Sequence, residues 1–296
     1  MAISPAHRFG QIIGDLLETA VESVLTVSAA KHSLFLDKKG PRPAREGSKV
    51  SWIDVNKNKH DLDFVLERGG TPDKHGVPVA FIEAAWRRYT KHSKNKAQEI
   101  QGAIGPLCEA YRHYHPFIGV VLAGVFTKNS LTQLQSLGFI VAYFPYETIK
   151  QAFAIVGIDA STEEGTPDKE IAKKCKSWDA LKLTEKAKVA KELVRINAGE
   201  IKSFIEALEK VIQRTIRTVR ILPLHGAAAE LTSVKDAIAF ILKYDEEGPA
   251  FPVVRYEVQI VYINEDRICA EFAAKVDAVE FLKTFSSSAG GPSAHP

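Results

Sequence analysis

Apolar residues recur at helical spacing from Phe9 to Ala29, where Phe9, Ile12, Ile13, Leu16, Leu17, Ala20, Val24 and Val27 form one stripe and Asp15, Glu18 and Glu22 fall on the polar side. The chain therefore opens on an amphipathic helix. From Asp37 to Ser48 the period is lost, and Gly40, Pro41, Pro43 and Gly47 among basic residues predict a loop. Two β segments follow, Val50–Val55 and His60–Glu67, as separate strands or as one bent strand. The turn Gly69-Gly70-Thr71-Pro72-Asp73 then leads into Pro78–Trp86, which predicts an antiparallel hairpin. Ser93 is placed to N-cap a helix running to Tyr114, with Ala97, Ile100, Ile104, Leu107, Cys108 and Tyr111 as its buried stripe. Phe117–Phe126 and Ile140–Phe144 are apolar throughout, as strands covered on both faces are. A helix at Leu131–Leu137, capped by Gly138, lies between them, so this unit predicts a parallel pair with a right-handed crossover.

Beyond Gly157 the texture changes. Ser161–Asp168 has the composition of a linker, and Lys169–Arg217 is a Lys/Glu-rich helical region that Gly199 can break. A strand at Thr218–Leu224, a helix at Val234–Tyr244, strands at Val253–Ile263 and Arg267–Ala274 and a last helix at Val276–Phe285 make a small α+β unit. No internal repeat is read from this pattern. The expected division is a core at 1–158, a helical plus α+β domain at 159–285, and a tail at 286–296 with the composition of a disordered end.

With 296 residues, 45% of them apolar, the chain can bury a full core. Its net charge of +3 hides an asymmetry: residues 1–150 carry 19 Lys/Arg against 14 Asp/Glu, a net +5, and residues 151–296 carry 20 against 22, a net −2. A polyanion is thus expected to meet the first half. Cys108, Cys175 and Cys269 have no metal-type spacing, and their odd number does not suit a disulfide framework. No apolar run approaches the roughly 20 residues that span a bilayer, and the first residues lack the build of a signal peptide. The expectation is a cytoplasmic protein that does not meet a membrane.

The chemistry concentrates between residues 60 and 100. Alternation puts Asp61, Asp63, Val65 and Glu67 on one side of their strand, and Val79, Phe81, Glu83 and Ala85 on one side of theirs. If the hairpin sets Asp63 opposite Glu83, two carboxylates share a site that a divalent cation would relieve. Glu83 stands between Val79-Ala80-Phe81-Ile82 and Ala84-Ala85-Trp86, so it needs a partner. After it come Arg87, Arg88, Lys91, His92, Lys94 and Lys96 with no acid among them, a tract suited to phosphates. Acids that hold a cation beside cations that hold an anion point to metal-dependent attack on a phosphodiester. His113 and His115 lack further ligand-type neighbours, and neither a phosphate-binding glycine loop nor a Gly-x-Ser-x-Gly elbow is present.

With an Asp on one central strand, a Glu on the next, and this order of elements from Phe9 to Tyr146, the first half resembles the PD-(D/E)XK nuclease superfamily, the fold of many type II restriction endonucleases. The resemblance implies an α/β, restriction-endonuclease-like core, a mixed central sheet flanked by helices, with a C-terminal helical and α+β extension. It implies magnesium, for which manganese may substitute, held by Asp63 and Glu83, with double-stranded DNA as substrate and a homodimer as the acting form. The family's lysine two positions after the second acid is missing, since Ala85 stands there. Its place falls to a lysine from elsewhere: Lys96 first, Lys94 next, with Lys59 on the Asp63 strand. An acid from the following helix makes Glu99 a further metal ligand, with Glu22 on the first helix a more distant one, and Arg87, Arg88, Lys91 and Lys94 are the expected DNA contacts. Two alternatives stand beside this reading: a nucleic-acid-binding protein that keeps the fold without catalysis, and a repair or structure-specific nuclease.

Overall fold

The computed structural model describes residues 4–89, 93–248, 251–263 and 265–286. Lys91, among the expected DNA contacts, and the tail from 287 onward lie outside them. Two compact units result: Met1–Arg112 with Pro116–Val211, and His113–His115 with Ile212–Pro296.

The first unit opens on α1 (Pro5–Lys31), where Ser4 accepts from the His7 N–H and a proline fills the first turn. Strand β1 (Leu34–Lys38) follows, then a hairpin of β2 (Val50–Ile53) and β3 (Lys59–Leu62), then β4 (Phe64–Arg68), β5 (Val77–Arg87) and α2 (Ser93–Ala110). Next come β6 (Phe117–Gly124), α3 (Lys128–Ser136), β7 (Ile140–Pro145) and α4 (Tyr146–Ala154). The central sheet has the order β1-β4-β5-β6-β7, and β2 and β3 pair only with each other. Strands β1, β4 and β5 run antiparallel while β5, β6 and β7 run parallel, so the sheet is mixed.

Alternation along β4 and β5 assigns the faces. Val65, Phe81 and Ala85 join Ile100, Ile104 and Leu107 of α2 in one core cluster, together with Val50, Trp52 and Leu62 of the hairpin. Across the sheet, Val121, Ala142 and Phe144 line a small apolar gap with Ala20, Val21 and Leu25 of α1 and Phe204.

Two expectations need correction here. Leu34–Lys38 is a strand, although Asp37 and the lysines after it read as the start of a loop; Asp37 is buried because arginines meet it from the following segment. The division near residue 158 also moves. The segment 161–167 is a surface connection, and α5 (Asp168–Asp179), α6 (Leu183–Ile196) and α7 (Ala198–Ile212) largely belong to the first unit. Helices α5 and α6 pack on α1, and α6 also packs on α4. Trp178 meets Phe153 at 5.0 Å between ring centroids, and Phe204 meets Phe117 at 5.3 Å. An amphipathic stripe such as Ile171, Cys175 and Trp178 must be covered by something apolar, and the core's own helices supply the cover. The break between the last two helices falls at Asn197, two residues before Gly199.

The second unit holds β8 (Ile216–Pro223), β9 (Ala229–Leu231), α8 (Val234–Lys243), β10 (Tyr256–Tyr262), β11 (Arg267–Phe272) and α9 (Lys275–Ser286). Its antiparallel sheet has the order β11-β10-β8-β9. Here the pattern did conceal a repeat. Each half is strand, strand, helix, and Val219 pairs with Leu231 as Tyr256 pairs with Phe272. The two inner strands cross at Ile221 opposite Val258. Ala229-Glu230-Leu231, Asp236-Ala237 and Phe240 recur 41 residues later as Ala270-Glu271-Phe272, Asp277-Ala278 and Phe281. Both helices cover one face of the sheet, and the other face carries Arg220–Glu230 and Arg255 with Glu257 and Glu271 as ion pairs.

Candidate functional site

Asp63 lies between β3 and β4, where the chain leaves the outer hairpin for the central sheet. The register Phe64↔Ile82, extended by one residue, sets Asp63 opposite Glu83. Asp63 Oδ2 accepts the Ala84 N–H at 2.7 Å, which fixes its carboxylate over the neighbouring strand. Glu83 is 7% exposed. Its side chain belongs to the face of β5 that carries Phe81 and Ala85, the face covered by α2.

Burial pushes the Glu83 carboxyl up, and the Asp63 charge pushes it further, to about 8, against the pull of Lys96. Asp63 is also raised by burial, with the Ala84 N–H and the Lys96 charge holding it down. Both acids are thus held above their ordinary range, Glu83 by burial first and then by the Asp63 charge, as buried carboxyls with little positive charge beside them are.

Helix α2 brings the lysine. Its stripe of Ala97, Ile100, Ile104 and Leu107 packs on the sheet, and Lys96, one turn before Ile100, overhangs the strand end. Lys96 Nζ stands 3.9 Å from Glu83 Oε2 and 3.6 Å from Glu99 Oε2. Ala85 is buried in the core cluster, so the cation near the acids comes from the helix rather than the strand.

Other expected site residues are placed differently. Glu99 is exposed and pairs with Lys96 and with Arg87 at 3.4 Å, so its carboxylate is already met by cations. Arg87 also donates to the Trp86 carbonyl, and Arg88 donates to the Glu163 carbonyl and lies over the Tyr89 ring. Both arginines are half-buried and tied to their own unit. Lys94 is exposed on the first turn of α2. Asp61 is held by Lys49 and Ser51, each at 2.7 Å, on the outer hairpin. Glu22 pairs with Lys38. The acid of α1 that feels the site is Glu18, one turn earlier, raised by burial and then by the Asp63 charge. Helical spacing placed it on the polar side and could not tell which polar residue overhangs the sheet end. Lys39 acts electrostatically on both Asp63 and Glu18 and was also unmarked by any pattern.

Could the residues hold a metal? Among the described residues, the group of three potential ligands close enough to share an ion is Asp37, Glu67 and His75. It does not fit one, because a guanidinium already fills it. Arg42 Nη1 lies 2.9 Å from Asp37 Oδ2 and also bonds Glu67, and Arg45 adds a 3.1 Å pair to Asp37. The Gly76 N–H closes on Glu67 Oε2 at 2.6 Å, in a turn where a Cβ would come within 2.4 Å of the Arg68 carbonyl. Asp63 and Glu83 do fit a divalent cation: they are opposed carboxylates, mostly buried and both raised by that burial, with Lys96 beside Glu83 and Lys39 acting on Asp63.

No protein-family model matches the sequence, and no curated protein matches it. Among solved structures, one described as a protein of unknown function, AF1548, is similar at a TM-score of 0.29 and 12% identity, over 67% of this chain and 97% of that one. No helix among the described residues is long and apolar enough to cross a membrane.

Proposed function

We propose that the chain is a magnesium-dependent endonuclease acting on double-stranded DNA, with a PD-(D/E)XK-like core and the character of a type II restriction enzyme. The observation that carries this reading is the opposition of Asp63 and Glu83 across β4 and β5, with Lys96 beside Glu83. Asp63 and Glu83 would hold magnesium or manganese. A bound divalent cation supplies Lewis-acid stabilisation of a phosphodiester's developing charge and acidifies water. The mixed sheet, the order of strands and the helix that follows β5 support the same reading.

Within it, the chain's own groups divide the work. The Ala84 N–H fixes Asp63, so that one oxygen is committed to the backbone. Lys96 takes the role that a lysine at position 85 would have, orienting water and offsetting charge on the phosphate. Glu99 holds Lys96 from the solvent side, which makes it a positioning residue rather than a metal ligand. Cutting both strands of a duplex with one site per chain favours a symmetric dimer.

The test is conversion of supercoiled plasmid to nicked and linear forms in magnesium, with EDTA and with Asp63→Ala and Glu83→Ala as controls. Metal-dependent cleavage lost in both variants is expected. Cleavage that survives either substitution removes the assignment.

A further inference from the structure

The β2–β3 hairpin is not part of the central sheet, yet it is tightly built. Val50, Trp52 and Leu62 anchor its inner face in the core beneath α2, and Trp52 packs edge-on against Phe81 and Tyr111. Its far end is locked by one carboxylate. Asp54 accepts from the backbone N–H groups of Asn56 and Asn58 at 2.8 and 2.9 Å, from Asn58 Nδ2 at 3.1 Å and from His60 Nε2 at 2.8 Å. These donors, the His60 ring first, hold the Asp54 carboxyl down at about 2, so protonation does not release the lock at neutral pH.

What this lock presents is cationic and apolar. Ile53 and Val55 are 55% and 60% exposed, and Asn56, Lys57, Asn58 and Lys59 are all exposed. Between Lys49 and His60 the acid is Asp54, which is buried under its donors. Lys57 adopts φ +66°, the left-handed region where a side chain is strained and glycine or asparagine is the cheap choice. A long cation kept at the one tip position that favours glycine indicates a use for that cation. The root of the hairpin is Asp63 itself. Lys59 is four residues from it, at most about 13 Å along an extended chain, comparable with the roughly 12 Å width of a B-DNA major groove.

We infer that the β2–β3 hairpin is a preformed arm that enters the major groove of duplex DNA beside the cleaved phosphate, with Lys57 and Lys59 on flanking phosphates and Val55 and Ile53 on sugar or base edges. The inference rests on the nuclease reading and names how that site takes hold of its duplex. Two-stranded ribbons fit this groove, and pre-locking the turn removes the ordering cost of binding.

The test uses the full chain and fluorescence anisotropy of a labelled 30-base-pair DNA duplex across a salt series in calcium, with plasmid cleavage in magnesium run in parallel. Loss of two phosphate contacts in K57A/K59A should flatten the log affinity against log salt slope by about 1.8 and weaken binding roughly 60-fold at 0.1 M salt. K57R/K59R should restore both. K57G should weaken binding roughly 8-fold while leaving the melting temperature unchanged or higher, because glycine relieves the strained φ. A merely structural role for Lys57 would not give that split. A wild type that binds and cleaves, with K57A/K59A matching its affinity and slope, overturns the arm and spares the nuclease. An equal flattening on an RNA duplex, whose deep major groove excludes a ribbon, overturns the groove assignment. A wild type that binds without metal-dependent cleavage overturns the nuclease reading and leaves the slope to judge the arm, and one that does not bind duplex at all overturns both.

Discussion

Strand β4 is flanked by two acid pairs, and they are built on opposite principles. At its far end Glu67 meets Asp37 of β1, and the chain supplies the countercharge from inside: Arg42 lies between them and Arg45 adds a second guanidinium. At its start Asp63 meets Glu83, and the chain supplies lysines instead, Lys96 at 3.9 Å from Glu83 with Lys39 acting on Asp63. Glu67 and Glu83 are both nearly inaccessible, while Asp37 is buried and Asp63 half-buried. The larger difference is in the partner. A pair closed by arginine fastens β1, the loop after it and the turn before β5 together. A pair left short of positive charge costs stability and is the place where an ion from outside gains the most.

The largest expected contrast is in catalysis. Asp63→Ala and Glu83→Ala should each lower magnesium-dependent cleavage by at least about 10³-fold, on the order of 4 kcal/mol of transition-state stabilisation. Both proteins should stay folded, as seen by circular dichroism. Arg42→Ala should do the reverse: it leaves Asp37 and Glu67 buried without their main partner and should destabilise the protein by about 3–5 kcal/mol, read by urea denaturation. Cleavage per folded molecule should survive it. If Arg42→Ala is silent in denaturation, the contrast between a closed and an open acid pair fails.

Much of the open pair is legible in the sequence. The alternation of Asp63 with Val65 and of Glu83 with Phe81 and Ala85, joined by a Gly-Gly-Thr-Pro-Asp turn, fixed which sides face each other, and Lys96 stood one helical turn from Ile100 at the edge of an evident stripe. The closed pair was not legible, because Asp37 and Arg42 sit in a segment whose glycines and prolines announce a loop, and no local pattern tells which charges will be buried together. Arg87 and Arg88 looked free because a basic run reads as a solvated or ligand-facing surface; their acceptors, Glu99 and the Glu163 carbonyl, lie 12 and 75 residues away. The repeat in the second unit escaped because its hairpins differ in length, which shifts the inner strands out of step with the helices.

Lys96 sharpens the comparison at the next level. Lys96→Ala should lower cleavage roughly 10²-fold, the range for losing one positioned charge or proton donor, with metal affinity changed far less than in Glu83→Ala. Glu99→Gln removes one group that steadies Lys96 and also meets Arg87, and should cost less than Lys96→Ala in the turnover rate. A Glu99→Gln variant as inactive as Asp63→Ala would instead make Glu99 a metal ligand.

The smallest effect separates the pairs without any substrate. In the metal-free folded protein Glu83 holds its proton up to about pH 8, whereas in the unfolded chain a glutamate releases it near its ordinary value. Between those two values the folded state binds the extra proton, so stability falls as pH rises through that window, by at most about 1.4 kcal/mol per pH unit from this group. Glu83→Gln keeps an N–H donor toward Asp63 and cannot ionise, so its denaturation midpoint should fall less between pH 5 and pH 8 than that of the wild type. Magnesium should flatten the wild-type curve in the same direction by binding the folded state, and should leave the variant nearly unmoved. A wild-type curve as flat as that of Glu83→Gln would mean that Glu83 already has a compensating charge in the folded chain, and the two acid pairs would then differ in their residues but not in their electrostatics.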